Sequence, residues 1–214
     1  MQLTVAQYVE YIQKVAEAIG KEGDYITSLD AATGDGDHWL NINIGYQKLV
    51  EKAEELATER TFQSMFMRLA KLAMSAMGGT SGALYGSAYI ASAKLLGETP
   101  VMNEKMFADM LDCWVKTIMD RGNTRPGYKT MVDTLYPASR KYSDAIESGM
   151  DSLKALEVLK QASWDGANST KEMEAIRGRA SNQTGKGVGH IDPGAVTMAM
   201  QLECLAEYIT SNCI

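Results

Sequence analysis

The feature that most constrains this chain is a succession of amphipathic helical patterns separated by glycine-rich loops. In the first pattern, Thr4 is a suitable N-cap, and apolar residues recur at helical spacing from Val5 to Ile19 before Gly20. Further patterns cover residues 24–29, 39–57, 62–77, 83–96, 104–121, 131–146, 151 to about 179, and 196–209. Pro137 is expected to bend or interrupt one of them. No segment alternates as a strand does, so the sequence predicts an all-α fold in which residues 1–214 form a single domain of about eight or nine helices.

Composition and charge exclude several classes of protein. The net charge is −6 and no basic cluster occurs, which argues against nucleic acid as a partner and gives no support to a membrane surface. No window approaches the roughly 18 apolar residues of a membrane span, and the first residues lack a basic targeting region, so we expect a cytoplasmic protein. The three cysteines have no metal-ligand spacing, which indicates reduced and mostly buried thiols.

An acidic loop follows the first helical patterns, and we refer to residues 30–41 as the acid loop. It places Asp30, Asp35 and Asp37 close together in sequence, with Gly34 and Gly36 on either side of the second acid. Like charges this close repel unless a cation lies among them. Ligands that are all oxygen suit Mg²⁺ or Ca²⁺, and glycine-rich backbone can present its N–H groups to phosphate. The acid loop is therefore a candidate site for a metal ion and a phosphate.

Two other interpretations of the acid loop were weighed. A solvated turn that caps the next helix would use the same residue types. An EF-hand is excluded because Leu40 occupies the position of its invariant glycine and Tyr46 the position of its bidentate glutamate.

Three further glycine-rich loops interrupt the helical patterns. The string GGTSG at 78–82 fits either a close helix–helix corner or a second phosphate-binding nest. The string GNTRPGYKT at 122–130 is not a Walker A loop, because Tyr128 separates glycine from lysine and no strand precedes it. The third loop covers residues 177–196. If the helices run alternately up and down, these three loops and the acid loop all lie at the same end of the helical bundle. That end would combine carboxylates for Mg²⁺, backbone N–H groups for phosphate, and Arg179, as a nucleoside di- or triphosphate site requires.

Four strings taken together resemble the nucleotide-binding (L) subunit of dihydroxyacetone kinase, the DhaL family. They are LDAATGDGDH, GGTSGALYG, GNTRPGYKTMVDTL and GRAS followed by GHIDPGA, and their order matches over nearly the whole chain. The resemblance implies a closed barrel of eight antiparallel amphipathic helices. It also implies that ADP or ATP binds at one end through two Mg²⁺ ions.

The resemblance assigns candidate roles to individual residues. The metal ligands are Asp30, Asp35 and Asp37. The residues around the phosphates are His38, Trp39, Leu40, Asn41, Thr80 and Ser81. Gly122 and Met131 lie near the nucleoside, while Arg179, Asp192, Pro193 and Gly194 close the far side. Arg179 is also the candidate catalytic residue, because a guanidinium group can clamp phosphate oxygens.

The resemblance also implies partners. A separate K subunit would hold dihydroxyacetone through a histidine, and an M subunit would recharge bound ADP from phosphoenolpyruvate; a homodimer is a further expectation. The alternatives are a related small-ketose kinase subunit that uses free ATP, and a non-catalytic nucleotide sensor that binds a regulator. Three departures from the family pattern bear on this choice: Trp39 stands where glycine is usual and would crowd or cover the phosphate site, Tyr128 replaces an acid, and Lys186 replaces part of an Arg/Glu pair.

Overall fold

The computed structural model describes residues 1–214 and confirms the all-α prediction. Ten α-helices account for the fold: α1 Val5–Lys21, α2 Gly23–Thr33, α3 His38–Glu51, α4 Ala53–Ala57, α5 Phe62–Ala76, α6 Ser81–Leu96, α7 Glu104–Gly122, α8 Met131–Glu147, α9 Ser152–Ser169 and α10 Pro193–Asn212. Two short strands, β1 Leu3–Thr4 and β2 Val101–Met102, pair in antiparallel fashion, and two 3₁₀ turns cover Thr170–Glu172 and Arg179–Asn182.

Eight of the helices form a ring around one apolar core. In ring order they are α1, α3, α5, α6, α7, α8, α9 and α10, each packing on the next, and α10 packs on α1. The short helices α2 and α4 are additions on either side of α3. The core contains 54 buried residues, drawn mainly from β1, β2 and all ten helices, and it explains why each long helix needs an apolar stripe.

Neighbouring helices in the ring point in opposite directions. The two strands lie directly before α1 and α7 and pair with each other, which puts the beginnings of both helices at one end. Ser152, the first residue of α9, donates a hydrogen bond to Glu104, the first of α7, at 2.9 Å. The N–H of Phe62, the first residue of α5, donates to Thr99 just after α6, also at 2.9 Å. Helices α3, α6, α8 and α10 therefore begin at the opposite end.

Several predicted boundaries were wrong. The pattern over 39–57 is broken at Lys52 into α3 and α4, and the helix expected to reach about Arg179 ends at Ser169. There Thr170 turns its hydroxyl back to Ala167, and the chain leaves as a 3₁₀ turn followed by loop. The short helix expected at 24–29 spans 23–33, and α10 begins at 193 because Asp192 caps it.

Helix α8 continues through Pro137 without interruption. Gly166 of α9 packs against this part of α8, since a Cβ there would lie 3.1 Å from the proline ring and 3.0 Å from the Cα of Thr134. The two helices thus pack closely at the proline.

Two remaining expectations concern thiols and membranes. All three cysteines are free; Cys213 is buried, but Cys113 and Cys204 are only half-buried. None of the ten helices combines the length and apolar character needed to cross a bilayer.

Candidate functional site

The three aspartates of the acid loop come together. One carboxylate oxygen from each of Asp30, Asp35 and Asp37 lies within 4.8 Å of the others. Asp30 is buried in the last turn of α2, Asp37 is half-buried directly before α3, and Asp35 is exposed between them. We call these three side chains the acid cluster. Three anionic oxygens this close form a donor set suited to a hard divalent cation, and this fits Mg²⁺.

Backbone contacts hold the acid loop in shape. The N–H of His38 donates to Oδ2 of Asp30 at 2.9 Å, and the N–H of Gly34 donates to the carbonyl oxygen of Asp30 at 2.5 Å. A Cβ at Gly34 would lie only 2.6 Å from Oδ1 of Asp30, so no larger residue fits there unchanged. Gly36 has a φ of +76°, which glycine adopts readily. The glycines thus let the backbone wrap around the buried carboxylate.

Arg179 supplies positive charge to the acid cluster from the other end of the chain. Its Nη2 lies 2.9 Å from Oδ2 of Asp35. Both side chains are well exposed, so this ion pair contributes little to stability by itself. One guanidinium cannot balance three carboxylates, and the cluster retains capacity for further cationic charge.

His38 is turned away from the solvent toward α10. Its Nε2 lies 3.0 Å from the hydroxyl oxygen of Thr197. Burial lowers the pKa of His38, and the nearby Asp30 and Asp37 oppose that shift. The side chain therefore ties the start of α3 to the first turns of α10.

The GGTSG loop lies against the exit of the acid loop. Gly78 packs directly on the side chain of Asn41, and a Cβ at Gly78 would overlap its carboxamide. Gly79 has a φ of +59°, Thr80 is exposed and Ser81 is half-buried at the start of α6. The loop forms a close corner between α5 and α6, where a Cβ at Gly82 would lie 2.9 Å from the carbonyl oxygen of Ala73. The same corner presents Thr80 at the acid-loop end, and the phosphate-binding interpretation stays a prediction.

The remaining candidates line the side formed by α8 and α10. Asp192 accepts a hydrogen bond from the N–H of Ala195 at 2.8 Å and so caps α10, with Pro193 as the first helical residue. Burial raises the pKa of Asp192 to about 7. Gly194 approaches Met131, the first residue of α8, with 3.9 Å from an ideal Cβ to the Cβ of Met131. Gly122 lies near this side, in contact range of Leu84 of α6.

Four helix N-termini converge at this end. His38 contacts Thr197, Asn41 contacts Gly78, and Met131 approaches Gly194, which joins the beginnings of α3, α6, α8 and α10. The free N–H groups and the positive dipole ends of helices attract anions. Carboxylates that can bind a cation therefore lie next to helix N-termini that can bind an anion. A polyphosphate with a bound metal ion needs both.

Two predicted site side chains do not join this group. The Nε1 of Trp39 donates to the carbonyl oxygen of Ile19 at 2.9 Å, and its ring covers Gly23. The indole is thus held at the α1–α2 junction by contacts with Ile19 and Gly23, and its place relative to the phosphates stays a prediction. The side chain of Leu40 is 51% exposed on the outer face of α3.

Sequence reasoning missed Lys129 and Thr197. Lys129 is almost fully buried and donates from Nζ to the carbonyl oxygens of Thr170 and His190. A signal for this part of the chain was present in the string TMVD, because Thr130 and Asp133 form a capping box at the start of α8. Nothing in the local sequence of Thr197 points to its contact with His38.

A surface groove lies elsewhere. It has a volume of about 700 Å³, runs along the outer face between α1 and α10, and contains none of the predicted site residues. It is open and of mixed charge, with Lys14, Glu17 and Glu207 among its lining residues. The acid cluster, in contrast, is a shallow site at the end of the ring.

Comparison with known proteins agrees with this geometry. The model of the DAK2 domain matches residues 32–207, which is most of the chain. The chain belongs to the DAK2 domain family. The matched range includes Asp35, Asp37, the GGTSG loop, Lys129 and Arg179, and Asp30 lies two residues before it.

Individual DAK2 relatives are similar over their full length. The ADP-binding subunit DhaL of the PEP-dependent dihydroxyacetone kinase of Escherichia coli is 30% identical over 206 residues, which cover 96% of this chain and 98% of that protein. The ADP-binding subunit DhaL of the PTS-dependent dihydroxyacetone kinase of Lactococcus lactis is 33% identical over 207 residues, covering 97% and 99%.

A solved structure shows the same fold. The dihydroxyacetone kinase of C. freundii in complex with AMP-PNP and Mg²⁺ matches with a TM-score of 0.70 and 22% identity over 93% of this chain. This DAK2 chain spans only 33% of the length of that solved chain.

Proposed function

We propose that residues 1–214 act as one nucleotide-binding domain, the ADP-binding subunit of a dihydroxyacetone kinase. The observation that carries this proposal is the acid cluster, whose three carboxylates lie within 4.8 Å of one another at the end where four helices begin. The full-length similarity to DhaL subunits supports ADP, or ATP, as the nucleotide.

The residues at the acid-loop end have different proposed roles in binding the metal, the phosphates and the nucleoside. Asp30, Asp35 and Asp37 would hold two Mg²⁺ ions, which, when bound, offset negative charge on the phosphates during transfer. From the segment His38 to Asn41, the backbone N–H groups of Trp39 and Leu40 are free to donate to phosphate oxygens, since those of His38 and Asn41 already bond to Asp30 and Asp37. Thr80 and Ser81 add donors from the start of α6. Met131 and Gly122 form the wall for the nucleoside, and Asp192 to Gly194 close the opposite side.

We propose that Arg179 contacts Asp35 without nucleotide and a phosphate oxygen when nucleotide is bound. In the nucleotide-free protein its guanidinium neutralises Asp35 at 2.9 Å. A divalent cation at Asp35 removes that need, and the exposed arginine is then free to contact a phosphate oxygen and to stabilise the charge of the group being transferred. Arg179 is the residue we propose as catalytic for this reason.

The proposed activity requires partners. A K subunit would hold the ketose and receive the phosphoryl group, and an M subunit would return a phosphoryl group to ADP from phosphoenolpyruvate. The support for these partners is that the two DhaL relatives are subunits of PEP- or PTS-dependent kinases.

The decisive experiment measures the thermal shift that Mg²⁺ and ADP produce. At a ligand concentration a hundredfold above Kd, binding adds about 2.7 kcal/mol of stability, which raises the Tm of a domain of this size by several degrees. Asp35→Asn should abolish the shift because it removes one of the three carboxylates proposed to bind Mg²⁺. Asp109→Asn, an exposed residue of α7 paired only with Lys105, is the matched control and should shift like the wild type. An undiminished shift in Asp35→Asn refutes the proposed metal site.

Two further measurements separate the alternatives. Mass spectrometry of nucleotide released from purified protein should detect ADP if the nucleotide is retained as a coenzyme, whereas rapid loss on gel filtration favours a subunit that exchanges free ATP. A coupled assay with K and M subunits should produce a phosphorylated ketose; a nucleotide sensor produces none.

A further inference from the structure

The buried lysine at position 129 has no role in the assignment above. Lys129 is 1% exposed, which makes it one of the most completely buried charged residues of the chain. Its ammonium group donates to the carbonyl oxygens of Thr170 and His190. Lys129 itself has a φ of +60°, a left-handed conformation that residues other than glycine seldom adopt. A buried ammonium at an unfavourable backbone angle persists only where the surrounding structure holds it in place.

The two acceptors of Lys129 belong to different segments. Thr170 ends α9, and His190 lies two residues before Asp192. Thr170 reinforces the link, because its hydroxyl accepts a hydrogen bond from the N–H of Asp192 at 2.9 Å. The ammonium therefore joins the start of α8, the end of α9 and the backbone that leads into α10.

The loop between α9 and α10 is wrapped around the same side chain. Ile176 N–H donates to the carbonyl oxygen of Tyr128 at 3.2 Å, and Gly189 N–H donates to that of Lys171 at 2.8 Å. Gly187 packs on the lysine stem, since a Cβ there would lie 3.0 Å from Cε of Lys129. This loop, residues 173–192, carries Arg179 and leads into Asp192.

We propose that Lys129 is a positioning residue whose ammonium group fixes the 173–192 loop against α8, and so sets the distance between Met131 and the Asp192–Gly194 wall of the nucleotide site. Met131 lies two residues after the lysine, and Asp192 lies two residues after its acceptor His190. One charged group thus holds both walls. An apolar residue of equal volume would fill the space, but it would leave the carbonyl oxygen of His190 without its donor and that of Thr170 with only the N–H of Met173 at 3.2 Å.

The charge on the side chain is part of the argument. Burial lowers the pKa of Lys129, and Asp192, Asp133 and Glu172 oppose that shift. An uncharged chain would still pack in the same space, so loss of the ammonium alone distinguishes positioning from simple filling.

The test compares Lys129→Met with Lys171→Met. Lys171 is an exposed lysine of the adjoining 3₁₀ turn, and its substitution leaves the backbone bond to Gly189 intact. Hydrogen exchange is measured in nucleotide-free protein at the amides of Ile176, Gly189 and Asp192, with those of Leu69 and Ala73 in α5 as internal references. In Lys129→Met, exchange of the loop amides should accelerate by about ten-fold or more while the α5 amides stay protected. Lys171→Met should match the wild type.

Chemical rescue separates the ammonium from its volume. In Lys129→Ala the missing part of the side chain corresponds to n-propylammonium, so added n-propylammonium should restore loop protection, whereas the neutral n-propanol should not. Equal acceleration in the loop and in α5, or equal rescue by both additives, assigns Lys129 a role in global stability and overturns the proposal.

A measurement on the wild type covers the case in which the variants fail to fold. Nitrogen-detected NMR of lysine side chains should show one ammonium group with slow proton exchange, as two hydrogen bonds in a buried site require. Exchange at Lys129 as fast as at the exposed lysines overturns the proposal.

The second readout rests on the proposed function. The Kd for Mg²⁺-ADP should rise about ten-fold in Lys129→Met and stay unchanged in Lys171→Met. Wild-type protein that does not bind Mg²⁺-ADP refutes the nucleotide assignment, while the exchange data, obtained without nucleotide, still decide the role of Lys129.

Discussion

Arg179 lies 2.9 Å from Asp35, and this contact joins the last loop of the chain to the first. The guanidinium contacts one of the three carboxylates that we propose as ligands of a divalent cation. In the proposed function, binding of a divalent cation would exchange this ion pair for a metal–carboxylate contact.

Arg179→Met should change two affinities in opposite directions. Removing a competing cation should leave the affinity for Mg²⁺ alone unchanged or higher, whereas the affinity for Mg²⁺-ADP should fall by about ten-fold or more, because a hydrogen bond to a charged group contributes about 1.5–3 kcal/mol. Isothermal titration calorimetry measures both. Arg177→Met, which loses only an exposed contact to the carbonyl oxygen of Asn123, is the control. Parallel losses of both affinities would contradict the competition.

Gly34→Ala should distort the acid loop from within. The added Cβ would meet Oδ1 of Asp30 at 2.6 Å, and such overpacking typically costs about 1–3 kcal/mol. Urea denaturation should therefore show a lower free energy of unfolding. Gly20→Ala is the matched control, since its Cβ meets nothing closer than Asn43 at 3.9 Å within α1. That variant should gain up to about 1 kcal/mol from helix propensity. Equal effects of the two substitutions would mean that the close approach at Gly34 is not real.

Trp39→Phe should lower stability without weakening nucleotide binding. The substitution removes the donor to Ile19 and leaves its carbonyl oxygen unpaired, which costs about 1 kcal/mol, but it touches nothing at the acid cluster. We expect the Kd for Mg²⁺-ADP to stay within about two-fold of the wild type by calorimetry, since only an indirect effect remains. A large loss of affinity at unchanged stability would place the indole over the phosphates after all.

Asp192→Asn should alter the pH dependence of stability. Burial raises the pKa of Asp192 in the folded protein to about 7, above the value of about 3.9 for an unfolded chain. Between these two values the folded state binds more protons than the unfolded state, so this group makes stability fall as pH rises. Asparagine caps a helix about as well as aspartate and does not titrate.

The difference between variant and wild type isolates this group from His38. The free energy of unfolding of Asp192→Asn, minus that of the wild type, should increase from about pH 4 to pH 7 and then level off. Urea denaturation at a series of pH values measures it. A difference that is flat over this range would show that Asp192 has an ordinary pKa.

The helices and the acid cluster were accessible from sequence because both depend on local order. Apolar spacing identified every long helix, and three aspartates among glycines identified the cluster. The contact at the end of α9 was not accessible, because Lys129 donates to Thr170 from 41 positions earlier in the chain. A contact of that kind leaves no local pattern.

The orientation of Trp39 was predictable but missed. Residues four apart share a helix face, so Trp39 belongs with Asn43, which lies near Gly20 of α1. His38 belongs with Ile42 and Tyr46 on the buried face. Because Trp39 is close in sequence to the aspartates, we expected its side chain to lie beside them. Trp39 and His38 are adjacent in α3, however, and adjacent residues of a helix point to different faces.

The pairing of the first residues with the last has a practical consequence. Gln2 donates its N–H to Cys213 at 2.9 Å, beside the strand pair and at the end remote from the acid cluster. A fluorophore, an affinity tag or a fused protein attached at either terminus would therefore project from that remote end. Such labels can report on ligand binding or on binding of other subunits without blocking the end of the ring that holds the acid cluster.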